Sequence, residues 1–250
     1  FGSNRIVLKG QVVLGGRTIS DAVTITNPTL FFMTVLKESL EAEGIKVTGT
    51  VRDCDDISGY ALKPTEVTVL LKEQSPPFTK LLSEMMKVSQ NLYAETFTHT
   101  LGWHSTGVGS FEAGRTIVQQ QLAEWGIAAN NYVYADGSGL SRYNYTNPRT
   151  LVSILSAMRN SPHWAVFRDS MPIAGEDGTL RNRMKTGPAF KNVRAKTGTI
   201  ANTRGLSGYL TTADGEELAF SFLVNGHLLS SRDTDRITDT AAQILAGLRR

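Results

Sequence analysis

Val193-Arg194-Ala195-Lys196-Thr197-Gly198-Thr199 is followed by two further stretches of the same kind, residues 206–212 and 218–224. Each alternates apolar and polar residues or runs apolar, and turn signals (Asn202, Asp214-Gly215) divide them. Strands send successive side chains to opposite faces, and strands joined by short turns pair antiparallel. The three stretches therefore predict an antiparallel meander. Several helical patterns precede it and one, over 233–248, follows it. Helices in the middle, then consecutive strands, then a terminal helix make an α+β domain with an antiparallel sheet covered by helices.

Working back from the meander, residues 148–158 predict a helix opened by Pro148, and 115–125 predict another. Ser75-Pro76-Pro77 breaks the pattern and starts a helix with Leu81, Leu82, Met85 and Met86 on one face. The helix after Ser89 is expected to bury Leu92, Phe97 and Leu101. Asn27-Pro28 opens an amphipathic helix over 28–43, with Leu30, Val35, Leu36 and Leu40 apolar and Gly44 at the position of a C-terminal cap. Residues 5–13, 46–52 and 66–72 are β-rich and predict strands. Residues 1–70 thus read as a different layer from 71–250.

The bulk properties exclude several classes. The 250 residues are 40% hydrophobic and 20% charged, and the net charge is +3. Lys and Arg are scattered, so no nucleic-acid surface is expected. No apolar run approaches the ~20 residues needed to span a bilayer. The single Cys54 has no partner for an internal disulfide. His99, His104, His163 and His227 lack metal-ligand spacing, so neither a metal nor a cofactor is expected. The chain begins Phe1-Gly2-Ser3-Asn4, without Met or a signal-peptide pattern, and reads as a mature, cleaved or trimmed product.

Three segments have the composition of a site. Lys196-Thr197-Gly198-Thr199 offers a positive charge, two hydroxyls and a glycine that lets a ligand approach a strand closely. Its backbone N–H groups suit an oxyanion. A second triplet, Lys185-Thr186-Gly187, precedes Pro188, which would interrupt a ladder, and reads as a loop coincidence. In Ser89-Gln90-Asn91, a hydroxyl for proton relay and an amide for holding a substrate amide stand two residues apart. The alternative for Ser89 is an ordinary helix N-cap. Asp136-Gly137-Ser138-Gly139 lacks the Lys-Ser/Thr ending of a phosphate loop, and its glycines read as tight turns. Ser141 and Asn144 are spaced too widely to repeat S-x-N.

K-T-G with S-x-N is two thirds of the set S-x-x-K, S-x-N, K-T-G of penicillin-binding proteins and serine β-lactamases. No Ser in the chain has Lys three residues later. With the segments 74–95, 135–144 (Ala-Asp-Gly-Ser-Gly-Leu-Ser-Arg-Tyr-Asn), 171–180 (Met-Pro-Ile-Ala-Gly-Glu-Asp-Gly-Thr-Leu) and 193–199, the chain resembles the serine-type D-alanyl-D-alanine carboxypeptidase/endopeptidase family. These are the low-molecular-mass class C penicillin-binding proteins, peptidase family S13. The resemblance spans nearly the whole chain and is weakest over the first 25 residues.

The resemblance implies a penicillin-binding-protein/serine β-lactamase-like core with a helical subdomain. Residues 1–70 would be the returning part of an inserted domain, and 71–250 the C-terminal part of the catalytic domain. Ser89 would assist proton transfer, Asn91 would hold the donor peptide, and Lys196 would supply positive potential. Thr197, Gly198 and Thr199 would form the substrate-binding edge: Thr197 and Thr199 would bind the terminal carboxylate, and the Thr199 N–H would form half of an oxyanion hole. The nucleophile would come from an S-x-x-K portion that this chain lacks. Implied partners are peptidoglycan stem peptides, β-lactams and that N-terminal S-x-x-K portion. The implied location is periplasmic or cell-envelope. Two other readings stay open: a non-catalytic peptidoglycan-peptide binding module, and, ranked lower, a β-lactamase.

Overall fold

The computed structural model describes residues 5–60 and 68–250. The chain divides into two units, with the break between Glu73 and Gln74. In the first unit, α1 spans Pro28–Ala42. Asn27 caps it by accepting from the Leu30 N–H at 2.9 Å, and Pro28 suits the first turn because its missing N–H would have been unpaired there. The helix ends in a Schellman motif: Gly44, at φ +81°, donates to Glu41 O and Ile45 donates to Leu40 O. None of the α1 residues is buried within the chain.

The strands expected at 5–13 and 46–52 are not formed, and 68–72 has no regular structure. Residues 66–67 lie outside the described ones. The physical reason is pairing. β propensity describes fit to a half-buried pleated surface. Leu8, 91% exposed, and Val13, 82% exposed, have no such surface here.

The second unit contains, among its described elements, α2 (Phe78–Val88), α3 (Asn91–Thr106), α4 (Phe111–Glu124), α5 (Pro148–Arg159), α6 (Trp164–Ser170), β1 (Arg194–Ile200), β2 (Thr203–Thr211), β3 (Glu217–Asn225) and α7 (Ser231–Ala246). The expected meander is present as an antiparallel sheet in the order β1-β2-β3. The seven-residue helix α6 has no counterpart in the sequence reading.

The period of two along the strands builds two cores. Leu206 pairs with Phe222, Gly208 with Phe220 and Leu210 with Leu218, and this face packs with Ala195 against Ala242 and Ala246 of α7. The alternate residues Tyr209 and Ala219 face Met86 of α2, Leu155 of α5 and Met171. The Tyr209 hydroxyl donates to Leu155 O at 2.7 Å, which satisfies its polar end in that core. Ala195 and Lys196 therefore point to opposite faces of β1, and Lys196 faces the helices.

One buried face differs from expectation. Leu92 and Leu101 of α3 are 68% and 42% exposed, whereas Thr98 and Gly102 are buried. The cause is a close crossing of α3 and α4. A Cβ at Gly114 would lie 1.8 Å from Thr98 O, and one at Gly102 would lie 2.8 Å from Gly114 N. Small residues let the two backbones touch, so the contact stripe follows them rather than the leucines.

Candidate active site

Ser89 is not an N-cap. It is the C-cap of α2, in the left-handed region at φ 61°, ψ 51°. Gln90 is the N-cap of α3, and Asn91 is its first residue. The two helices meet at this one turn, and the left-handed Ser89 projects its hydroxyl toward the sheet. Lys196 Nζ donates to Ser89 Oγ at 2.6 Å and to Thr197 O at 2.8 Å.

The Lys196 ammonium is largely withdrawn from water. Burial lowers its pKa from 10.5 to about 8. A hydroxyl held against this ammonium is oriented by it and has a short route for proton transfer.

Asn91 Nδ2 donates to Ser138 O at 2.9 Å, which anchors the 136–140 loop beside the turn. Glu95, one helical turn further along α3, holds the same loop: its Oε2 accepts from the N–H groups of Gly137 and Ser138, each at 2.8 Å. Inside the loop, Asp136 accepts from Gly139 N, Ser141 N, Ser138 Oγ and Asn144 Nδ2. Its partial burial pushes the carboxyl pKa up. The hydrogen bonds from Asn144, Ser141, Gly139 and Ser138 outweigh this and leave it lowered. Gly139 takes φ +76°, and a Cβ at Gly137 would come within 2.3 Å of Thr98 Oγ1. The glycines serve the turn and the close approach to α3.

The opposite wall is β1. Thr197 Oγ1 donates to Thr179 Oγ1 at 2.9 Å. A Cβ at Gly198 would meet, among the described residues and beyond its chain neighbours, only the Gly205 backbone within 4 Å, at 3.8 Å or more, so the space before that glycine is open there. Gly198 and Thr199 are exposed. Ser89, Asn91, Ser138, Thr179, Lys196, Thr197, Gly198 and Thr199 line one cleft of about 440 Å³, the size of a small-ligand site. Lys185 is exposed in a loop, and Thr186 O accepts from Gln243 of α7. That second triplet does not line the cleft.

The structure thus brings Ser89, Asn91, Lys196, Thr197, Gly198 and Thr199 together. Thr179 joins them in the cleft, and Glu95 supports it from behind by holding the 137–138 backbone. Both lie in segments that carry the family resemblance, 171–180 and 74–95, but no role was expected of either residue, and their contacts depend on long-range packing. Among the described residues, no helix is long and apolar enough to cross a membrane.

Comparison with known proteins places the chain in a family. The profile of the D-Ala-D-Ala carboxypeptidase 3 (S13) family matches residues 1–248. The chain is 33% identical over 231 residues to a D-alanyl-D-alanine carboxypeptidase of Actinomadura sp. (strain R39), covering 90% of this chain and 42% of that protein. It is 31% identical over 228 residues to D-alanyl-D-alanine carboxypeptidase DacB of Haemophilus influenzae, covering 90% of this chain and 46% of that protein. The crystal structure of penicillin binding protein 4 from Haemophilus influenzae, complexed with a β-lactam, superposes with a TM-score of 0.76 at 30% identity, over 87% of this chain and 50% of that one. The chain spans under half the length of these two curated relatives. Its helices and small antiparallel sheet are the α+β arrangement of penicillin-binding proteins, and the chain belongs to the D-Ala-D-Ala carboxypeptidase 3 (S13) family.

Proposed function

We propose that this chain carries the S-x-N and K-T-G half of a serine-type D-Ala-D-Ala carboxypeptidase/D,D-endopeptidase that acts on peptidoglycan peptides in the periplasm or cell envelope. The observation that carries the reading is the 2.6 Å hydrogen bond from Lys196 to Ser89 at the wall of the cleft. A Ser of an S-x-x-K segment, contributed from outside the 250 residues, gives its hydroxyl proton to the Lys of that segment and attacks the carbonyl of the penultimate D-Ala. The developing oxyanion is met by backbone N–H groups, one of them from Thr199. The peptide C–N bond breaks, and the leaving amine takes its proton through the Ser89 hydroxyl, which Lys196 orients. Water then cleaves the acyl-enzyme ester. Asn91 holds the donor peptide, and Thr197 and Thr199 hold the terminal carboxylate beside Lys196. β-Lactams acylate the same Ser and place their carboxylate in the same position.

Residues 1–70 fit the returning part of an inserted domain, and 71–250 the C-terminal part of the catalytic domain. Release of D-Ala from a D-Ala-D-Ala peptide by the full-length protein tests the reaction. Turnover that Ser89→Ala reduces strongly is expected, and turnover indifferent to Ser89→Ala contradicts the proposed relay.

No Ser in the chain is followed three residues later by Lys, which favours a second reading for the chain by itself: peptide binding without turnover. Titration calorimetry of the chain with a D-Ala-D-Ala peptide distinguishes the two. Saturable heat without D-Ala release supports a binding module.

A further inference from the structure

The turn that carries Ser89 is tied to β1 through a contact lying outside the cleft. Lys87 Nζ donates to Asp177 Oδ2 at 2.5 Å, and the two side chains are 19% and 34% exposed. Asp177 Oδ1 accepts from the Ile173 N–H at 2.8 Å. Each carboxylate oxygen thus has its own partner, one within the 173–177 turn and one on α2. Gly178, at φ +53°, adds a second contact with the same residue: a Cβ there would stand 2.5 Å from Lys87 O.

The other end of this segment belongs to the sheet. Ala195 N–H donates to Pro172 O at 3.0 Å, and Ala174 N–H donates to Val193 O at 2.9 Å. Leu180 is fully buried in the core that holds Val193 and Ala195. Residues 172–180 therefore grip Lys87 at one end and the start of β1 at the other. Lys87 lies two residues before Ser89, and Ala195 lies one residue before Lys196.

A left-handed non-glycine residue such as Ser89 is disfavoured and persists where its surroundings impose it. We propose that Lys87 and Asp177 are positioning residues, whose ion pair against Gly178 keeps the Ser89 turn in register with Lys196. The proposal rests on the reading of the cleft given above. It adds residues that touch neither substrate nor the reacting atoms.

Lys87→Met removes the charge and keeps most of the stem. Asp177→Asn removes the charge and keeps an oxygen for the Ile173 N–H. Two measurements separate register from general stability: the titration of Lys196 in this chain, followed by NMR of its labelled side chain, and the acylation of the full-length protein by a fluorescent penicillin, resolved into initial binding and the covalent step. Each variant is expected to slow the covalent step about tenfold or more, because an ångström of misplacement costs on the order of a hundredfold. Initial binding should change by no more than about twofold, since the residues lining the cleft are intact. The Lys196 titration should move upward from about 8 as the loosened turn admits water. Lys87→Arg should recover most of the rate, and the double variant should be no slower than either single one.

Unchanged Lys196 titration together with unchanged acylation in folded variants overturns the proposal. So do losses that follow thermal stability and add in the double variant. A wild-type full-length protein that is not acylated, with a Lys196 titration that still moves in the variants, refutes the proposed function and leaves the positioning role standing.

Discussion

Lys196 Nζ reaches Ser89 Oγ at 2.6 Å, although 107 residues separate them in the chain. Two local facts make the contact. The period of two in β1 turns Ala195 into the α7 core and Lys196 toward the helices. The left-handed Ser89 ends α2 with its hydroxyl aimed at the strand.

The two K-T-G triplets give a paired test of this contact. Lys196→Ala in the full-length protein is expected to remove most acylation, on the order of 2–4 kcal/mol, through loss of a fixed charge beside the developing oxyanion and the carboxylate. Lys185→Ala, in an exposed loop, is expected to be nearly silent. Penicillin-labelling rates of the two variants check this, and the reverse pattern would contradict the choice of triplet.

The same burial predicts a pH dependence of stability. The Lys196 pKa is about 8 in the folded chain and 10.5 when exposed. Between those values the unfolded state holds more protons, so stability rises with pH. The cost of the buried charge is therefore present below about 8 and relieved toward 10.5. Wild type should gain on Lys196→Met by roughly 2–3 kcal/mol across that window. Urea unfolding of both proteins at the two ends of the window measures the difference.

Gly198 separates fold from function. Its missing Cβ faces open cleft, with the nearest protein atom at 3.8 Å. Gly198→Ala should therefore fold with stability within about 0.5–1 kcal/mol of wild type. It should weaken β-lactam acylation of the full-length protein by about tenfold, because the new methyl group occupies the approach to the strand. A melting curve and a labelling rate on the same preparation decide this.

Gly114 is the opposite case. A methyl group there would stand 1.8 Å from Thr98 O and 2.9 Å from Thr98 Cγ2, so α3 and α4 must separate. Gly114→Ala should destabilise by about 3 kcal/mol or more, at the upper end of overpacking costs, despite the better helix propensity of Ala. Chemical denaturation reads the loss.

The sheet was legible because the register that pairs Leu206 with Phe222 also places Leu206, Leu210, Leu218, Phe220 and Phe222 of one face in one core. Helix α1 was legible because Asn27-Pro28 and Gly44 are caps whose chemistry is local. The segments over 5–13 and 46–52 were misread because propensity says nothing about whether a partner strand lies alongside. The buried stripe of α3 was misread because Gly102 and Gly114 set the contact through backbone approach, which hydrophobic periodicity does not register. In the cleft, Lys196, Ser89 and Asn91 stand in recognisable triplets. Thr179, Glu95 and Asp177 lie in the recognisable segments 171–180 and 74–95, but their partners stand 18, 42 and 90 residues away, so their contacts follow from long-range packing rather than from a local pattern.

The central claim is that the cleft between Ser89 and Lys196 works on a nucleophile contributed from outside these 250 residues. The most direct measurement is covalent labelling with a fluorescent penicillin, followed by mapping of the labelled peptide. It is made on this chain alone and on the chain mixed with a polypeptide carrying the family's S-x-x-K segment. The account predicts no covalent label on the chain alone, and label on the Ser of S-x-x-K in the mixture. A covalent label on any residue of this chain by itself would contradict it.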